Sequence, residues 1–462
     1  MEGIIFVPGI SGSQLLYKKT RSIWPPSWND LFGYRELNEL LDPKNITVGS
    51  AIDVFLDIIP IYKIIEQDLK QISAHINSVP VGPYLSLPYD WRLDLTSSSL
   101  VLDDFVTRVD KFIKSTGVTK VTFICHSMGG LLIRLLLEWK AKAPPWLDNI
   151  RRVLFICTPH LGAPTALAKI FGLEGTWMVV PPWDMRKFAA DKNFPSTYEL
   201  LPSPDRNILF DASANKFIRY DDPSVIAALA LTKESIDKRN NLGAALNPAN
   251  KPRTVSYYFA YGVGHATDEG VILNGLTLAG ARPWSEVRGD GTVPSWSIIE
   301  AAAKCNPPIQ TKPFLGSHIG ILVTNTFRQF LYSYFTLQAP PLLVGRGGGG
   351  IAVSLNKHTY LPNEMMDVLL IPDDEARQIS GSLTLSRVDA NGRSSHVANL
   401  QDLEIRGATT RYLASNLIAP QSPGLYRLDF GGVDASHRSS AELAGFFVVQ
   451  DTGHLRARGS LS

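Results

Sequence analysis

Apolar positions along this chain follow two rhythms, and the change between them falls near residue 339. Before it, continuous apolar runs alternate with runs whose apolar residues recur every three or four positions. "GIIFVPG" from Gly3, "KVTFIC" from Lys120, "RRVLFIC" from Arg151 and "TVSYYFAYGVG" from Thr254 are the continuous kind. Strands of a parallel sheet covered on both faces read this way, because neither face is left for polar side chains. "SSLVLDDFVTRVDKFIK" is the periodic kind: Leu102, Phe105, Val109 and Phe112 share one helical face behind a serine cap. "IDVFLDIIPIYKIIEQDL" is apolar enough for an interfacial helix, although a core helix is the simpler expectation. Strand and helix in alternation predict a doubly wound α/β sheet over residues 1–338.

Two stretches break the rhythm. Residues 164–250 are rich in Pro, Trp and Asp, and an insertion of that length at the carboxyl edge of a parallel sheet predicts a cap over a site. Beyond a Pro/Gly-rich linker at 339–350, short alternating runs such as "IAVSLNKHTYLP", "MMDVLLIP" and "PGLYRLDF" replace the helices. They predict an immunoglobulin-like β-sandwich at 351–450, separately folded from the first unit, and a frayed tail at 451–462. A chain ending near Gln338 should then fold and work alone.

Composition removes several classes of function. Lys plus Arg (45) nearly balance Asp plus Glu (43), so no electrostatic nucleic-acid surface is expected. Three cysteines, Cys125, Cys157 and Cys305, are too few for a disulfide framework and suit a reducing compartment. The opening "MEGIIFVPG" lacks the basic and apolar segments of a signal peptide, and no run is long enough to span a bilayer. The expectation is a cytoplasmic protein, with contact to a membrane surface as a further expectation.

"KVTFICHSMGG" carries the candidate chemistry. A strand ends in a sharp turn bearing Ser127, and the helical "LLIRLLLEW" follows. A nucleophile elbow is written G-x-S-x-G; it strains the serine so that its oxygen stands clear of the sheet edge. Small residues on either side let strand and helix approach. Cys125 replaces the first glycine and satisfies it by size, while Gly129 and Gly130 supply the second. In such hydrolases an acid and then a histidine follow the serine in chain order. Asp290 in "VRGDGTVP" and His318 in "KPFLGSHIGIL" fit that order. His265 in "YGVGHATDEG", with Asp268 nearby, is the rival; His126 is expected to pack, and His160 to lie near the site. The oxyanion donors should be the amide of Met128, directly after the serine, and that of Ile10 in "VPGISGSQL". That loop lacks the lysine and glycine spacing of a phosphate loop.

These motifs, with "LPYDWRLD" and "YGVG", make the chain resemble the lecithin:cholesterol acyltransferase family, which includes phospholipid:diacylglycerol acyltransferases and lysosomal phospholipases. The resemblance spans roughly the first 335 residues, large for one α/β domain, and stops short of the β-rich tail. It implies an α/β-hydrolase fold and attack by Ser127, with Asp290 and His318, on a lipid ester, then acyl transfer to an alcohol or to water. No metal or organic cofactor is implied. In "PYDWR" the expected role is structural, Asp90 pairing with Arg92 while Tyr89 and Trp91 pack beneath the site. Trp24 and Trp28 in "IWPPSW" fall where the family has a mobile lid, and they are candidate substrate contacts; a Pro-rich surface loop is the plainer alternative. The same residues would serve a carboxylesterase or a thioesterase, and a hydrolase scaffold that only binds is the alternative of another class. The natural acyl donor and acceptor, and the partner of the β-sandwich, are left open by the sequence.

Overall fold

The computed structural model describes residues 1–450 except 31–32, 57, 98–100, 140–142, 177–179, 337–350, 373–377, 407–412 and 433–443. The expected linker and tail therefore lie outside the described residues. Six strands form the central sheet: β1 (Glu2–Val7), β2 (Tyr84–Ser86), β3 (Lys120–His126), β4 (Ile150–Ile156), β5 (Ser256–Val263) and β6 (Gln310–Leu315). Their order is β6-β5-β4-β3-β1-β2, and every pairing is parallel. Ile4 to Val7 and Val153 to Ile156 are wholly buried, as continuous apolar runs require. Strand order reverses between β1 and β3, which opens a crevice at their carboxyl ends where ligands bind in such sheets.

Helices α1 (Lys63–Asn77), α2 (Asp103–Thr116), α3 (Met128–Glu138), α4 (Ser295–Ala303) and α5 (Asn325–Thr336) accompany the sheet. The expected apolar face of α2, Phe105, Val109 and Phe112, is its buried face. Its N-cap position is Leu102, without a side-chain cap, so the serine cap read from the sequence is not the observed start. "IDVFLDIIPIYKIIEQDL" divides between two short strands, Val54–Phe55 and Ile59–Pro60, and α1, whose Ile65 and Leu69 enter the core.

The stretch at 164–250 is more regular than its composition suggests. It holds helices Thr165–Ile170, Pro182–Ala190, Ser196–Glu199, Pro223–Leu229 and Lys233–Ala245 around a core of its own. Strand Leu209–Asp211 pairs with His265–Leu273, which pairs in turn with Arg282–Gly289. The cap thus recruits chain well past residue 250, a long-range pairing that local sequence does not signal.

The C-terminal strands are β7 (Ile351–Leu355), β8 (Thr359–Tyr360), β9 (Met365–Pro372), β10 (Gln378–Val388), β11 (Ser394–Arg406), β12 (Leu413–Ile418), β13 (Gly424–Gly432) and β14 (Gly445–Val449). They form a sheet of order β7-β9-β12 and another of order β8-β14-β13-β10-β11. Val353 and Leu370 of the first bury against Leu383, Leu428 and Phe447 of the second. The region is also joined to the α/β unit. Ala352, Leu369 and Ile371 share one cluster with Ile64 and Val323, and Phe446 and Val448 enter the main core.

Candidate active site

Ser127 separates β3 from α3 with φ 51° and ψ −130°, a left-handed conformation that costs a non-glycine residue ~1–3 kcal/mol. The surrounding bonds hold it there: Ser127 N–H donates to Ile156 O (2.9 Å), and Gly130 N–H to Ser127 O (3.0 Å). A Cβ on Gly129 would stand 2.3 Å from the carbonyl oxygen of Pro8, so only glycine lets the helix start this close to the loop after β1. Cys125 is fully buried, and burial pushes its thiol well above the ordinary range, which keeps it protonated and inert.

His318 follows β6, and its Nε2 lies 2.9 Å from Ser127 Oγ. Its Nδ1 lies 2.8 Å from Asp290 Oδ2, and its own N–H donates to Asp290 O (2.9 Å). Asp290 Oδ1 accepts the amides of Val293 (2.6 Å) and Thr292 (2.9 Å). Burial would raise this carboxyl, but the His318 imidazole and the two amides outweigh it and hold the group below the usual carboxylate range. An ionised Asp290 accepts the Nδ1 proton and leaves Nε2 free to accept from the serine hydroxyl. The structure therefore brings Ser127, His318 and Asp290, from three distant segments, into one hydrogen-bonded line. Cys157 Sγ joins Asp290 and His318 within 4.8 Å. This is the one grouping of metal-capable side chains found among the described residues, and two of its members, Asp290 and His318, are already engaged in that line.

His126 does more than pack. Its Nε2 must donate to the carbonyl of His318 (3.0 Å), so its Nδ1 accepts from Tyr62 OH (2.9 Å). Tyr62 OH in turn accepts from Gly9 N–H (3.0 Å). One chain of bonds thus ties the loop carrying Ile10 to the backbone of His318. Burial and the neighbouring His318 lower the His126 pKa to about 3, which keeps it in the neutral form this chain needs. The sequence places His126 next to Ser127, but nothing in its spacing identifies Tyr62 as its partner.

A cavity of about 540 Å³ opens onto Ser127 and His318. Ile10, Trp24, Phe55 and Trp91 line one side; Val353, Leu355 and Phe446 of the C-terminal region line another. Met128, fully buried, begins α3 directly behind the serine. A Cβ on Gly9 would lie 2.7 Å from that of Ser127, so the Ile10 loop also lies against the elbow. Trp24 is a fixed wall: its Nε1 donates to Ser11 O (2.8 Å), and its ring packs on Trp91 and Tyr34. Trp28 is half-buried and is not among the cavity's lining residues. Asp30 holds its helical turn, accepting from Ser27 and from the amide of Arg35, and this leaves Trp28 outside the pocket.

The "PYDWR" residues take the expected structural arrangement. Arg92 is 1% exposed, pairs with Asp90 (2.7 Å), donates to Leu40 O and lies over Phe194. His160 does not face the serine; its ring stacks on Phe259 at 3.8 Å. His265 is wholly buried and bonds to Ser354 of β7, not to the elbow. Asp268 accepts from Ser285 (2.7 Å), not from His265.

A parallel sheet with this strand order and a strained serine between β3 and α3 is the α/β-hydrolase fold. Residues 81–224, less than a third of the chain, match the sequence model described as lecithin:cholesterol acyltransferase, so this stretch is similar to that family. It is 26% identical over 283 residues to phospholipase A(1) LCAT3 of Arabidopsis thaliana, an alignment covering 51% of this chain and 61% of that one. The match thus spans less than two thirds of that relative. Among solved structures, the lin2722 product of Listeria innocua aligns over 74% of this chain and 96% of its own at 11% identity and a TM-score of 0.31. The phospholipase PlaB of Legionella pneumophila aligns over 100% and 97% at 12% identity and a TM-score of 0.27. At such scores these likenesses are remote, and the fold assignment stands on the strand order and the elbow.

Proposed function

We propose that this chain is a serine-dependent lipid ester hydrolase or acyltransferase. The observation that carries the reading is the bonded line from Ser127 through His318 to Asp290 at the mouth of an apolar cavity. The mechanism follows from that geometry. His318 Nε2 takes the proton of Ser127 as its oxygen attacks the ester carbonyl, and Asp290 supports the imidazolium that forms. The amides of Ile10 and Met128 receive the oxyanion. The imidazolium then protonates the leaving alcohol, and an acyl group remains on Ser127. A water molecule or an alcohol, deprotonated by His318, releases that acyl group as acid or as new ester.

The largely apolar lining suits a fatty acyl chain, and the family relationship supports a lipid substrate. Trp24 is the lining tryptophan proposed to contact it. No helix among the described residues is long and apolar enough to cross a membrane, so access to bilayer lipid would be from the surface. For the C-terminal strands, two antiparallel-rich sheets on a shared core support the immunoglobulin-like sandwich expected from the sequence.

Fluorophosphonate labelling tests the nucleophile. The intact chain should label and Ser127→Ala should not, with turnover of a short-chain ester falling ~10³-fold or more. A labelled, active Ser127→Ala protein would end the serine reading. Product analysis with and without an alcohol acceptor then separates transfer from hydrolysis.

A further inference from the structure

His265, the histidine that competed with His318 for the catalytic role, sits in a second serine–histidine–aspartate arrangement. Its Nε2 lies 2.8 Å from Ser354 Oγ, and its Nδ1 lies 3.5 Å from Asp367 Oδ2. Both partners come from the C-terminal region, Ser354 from β7 and Asp367 from β9. Ser354 Oγ also accepts the N–H of Ser317 (3.0 Å), the residue immediately before His318. Since that oxygen accepts from Ser317, its own proton is available to His265 Nε2. His265 Nδ1 then faces the Asp367 carboxylate, too far away and too poorly aligned for a hydrogen bond, while that carboxylate accepts the amide of Ala266 (3.2 Å).

The same strut reaches the acid. His265 and Asp290 form a parallel backbone bridge, and Gly291 N–H donates to Thr267 Oγ1 (2.9 Å). A Cβ on Gly291 would stand 2.2 Å from the carbonyl oxygen of Asn356, just past β7. The loops bearing His318 and Asp290 therefore both rest on β7 and the residues that follow it. Neither loop is held by the α/β unit alone.

We infer that Ser354, backed by His265 and Asp367, is a positioning residue for the base His318, so that the C-terminal β-region is a working part of the active site. The inference rests on the serine reading above. Ser354 does not touch the reacting atoms; it fixes the backbone from which the imidazole projects. Reaction geometry is sensitive to such support, since a displacement of about 1 Å costs ~10²-fold in rate.

The full chain carrying Ser354→Ala, Ser354→Thr, Asp367→Asn or Ser127→Ala is assayed on a soluble short-chain ester, well below its melting temperature. Circular dichroism and thermal melts establish that each variant is folded. In Ser354→Ala, kcat should fall ~10- to 100-fold with KM little changed, and fluorophosphonate labelling should slow in parallel. Ser354→Thr keeps the hydroxyl and should recover most of the loss. A merely structural role would move the melting temperature without this split between kcat and KM. Folded Ser354→Ala with wild-type kcat and labelling rate overturns the inference. Should Ser354→Ala not fold, Asp367→Asn decides: reduced kcat at unchanged KM supports the strut, and unchanged kcat overturns it. Ser127→Ala separates the two failures. If it stays active, the serine reading fails; if it is dead while Ser354→Ala is unaffected, only the positioning role fails.

Discussion

Ser127, His318 and Asp290 form one line of bonds, and Ser354, His265 and Asp367 bring the same three residue types together a second time, with only the Ser354–His265 contact a hydrogen bond. The lines differ in backbone, access and occupancy. Ser127 is held at φ 51° on an elbow, whereas Ser354 lies within an ordinary strand. The His318 side chain is 14% exposed and opens to the cavity; that of His265 is 0% exposed. The hydroxyl of Ser354 is engaged on two sides, by the Ser317 amide and by His265. Its histidine also stands farther from its acid, 3.5 Å against 2.8 Å. A nucleophile therefore needs more than a base and an acid behind it. On the reading proposed above, it needs strain that lifts the oxygen clear and a hydroxyl free of other partners; Ser354 also lines the cavity but has neither.

The sharpest break of this comparison is at the acids. Asp290→Asn should lower kcat ~10³-fold or more by removing the carboxylate that fixes the His318 tautomer. Asp268→Asn should leave turnover near wild type, because Asp268 bonds to Ser285 and not to either histidine. Burial and the neighbouring Glu174 push Asp268 upward, so its asparagine variant should also be at least as stable at neutral pH. Steady-state kinetics and urea titrations of the pair check both statements; the reverse kinetic ranking would move the acid role to the His265 loop.

Removing the second line altogether is the next largest perturbation. The composition shift predicts a tail that can be cut away, but the observed junction buries Ala352, Leu369 and Ile371 against Ile64 and Val323. It also supplies Ser354 to the His318 loop. A chain ending at Gln338 should be poorly soluble, and any soluble fraction should hydrolyse a monomeric ester at less than about a tenth of the full-length rate. Size exclusion and the same ester assay test this. Full activity in a soluble truncated chain would return the C-terminal region to a separate role.

Smaller effects are expected at the elbow itself. Cys125→Gly and Cys125→Ala should remain active, while Cys125→Leu should overpack the site and cost about 1–3 kcal/mol in denaturant unfolding. An inactive but folded Cys125→Gly would assign the thiol a chemical part. The least conspicuous effect is on acid stability. His126 has a folded pKa of about 3, below its ordinary value, so the unfolded chain binds the extra proton between about 6.5 and 3. Stability should therefore fall as pH drops through that window, and His126→Asn should flatten the fall. Urea unfolding free energies at several pH values between 7 and 4 measure the slope. His160 and His358, also held down by burial, would retain part of it.

The central sheet was legible because its strands are buried on both faces, which leaves short, β-branched and aromatic continuous runs such as Ile4–Val7 and Val153–Ile156. The elbow was legible because its demands are local: a serine, small neighbours and a following helix. Chain order then singled out Asp290 and His318. Beyond that chain order, the sequence did not carry the relations between residues that meet only across the fold. The cap borrows strands from beyond residue 250, and Tyr62 stands 64 positions from its partner His126. Trp28 and Trp24 share a motif but part company at the cavity wall. His265 and Ser354 are 89 positions apart, in regions whose composition suggested separate units. Local patterns record which face of an element is buried, because burial acts on each residue in turn. Which loops lean on which, and so how the two serine–histidine–aspartate groups differ, depends on directional hydrogen bonds between distant segments. Those bonds exist only once the chain has packed.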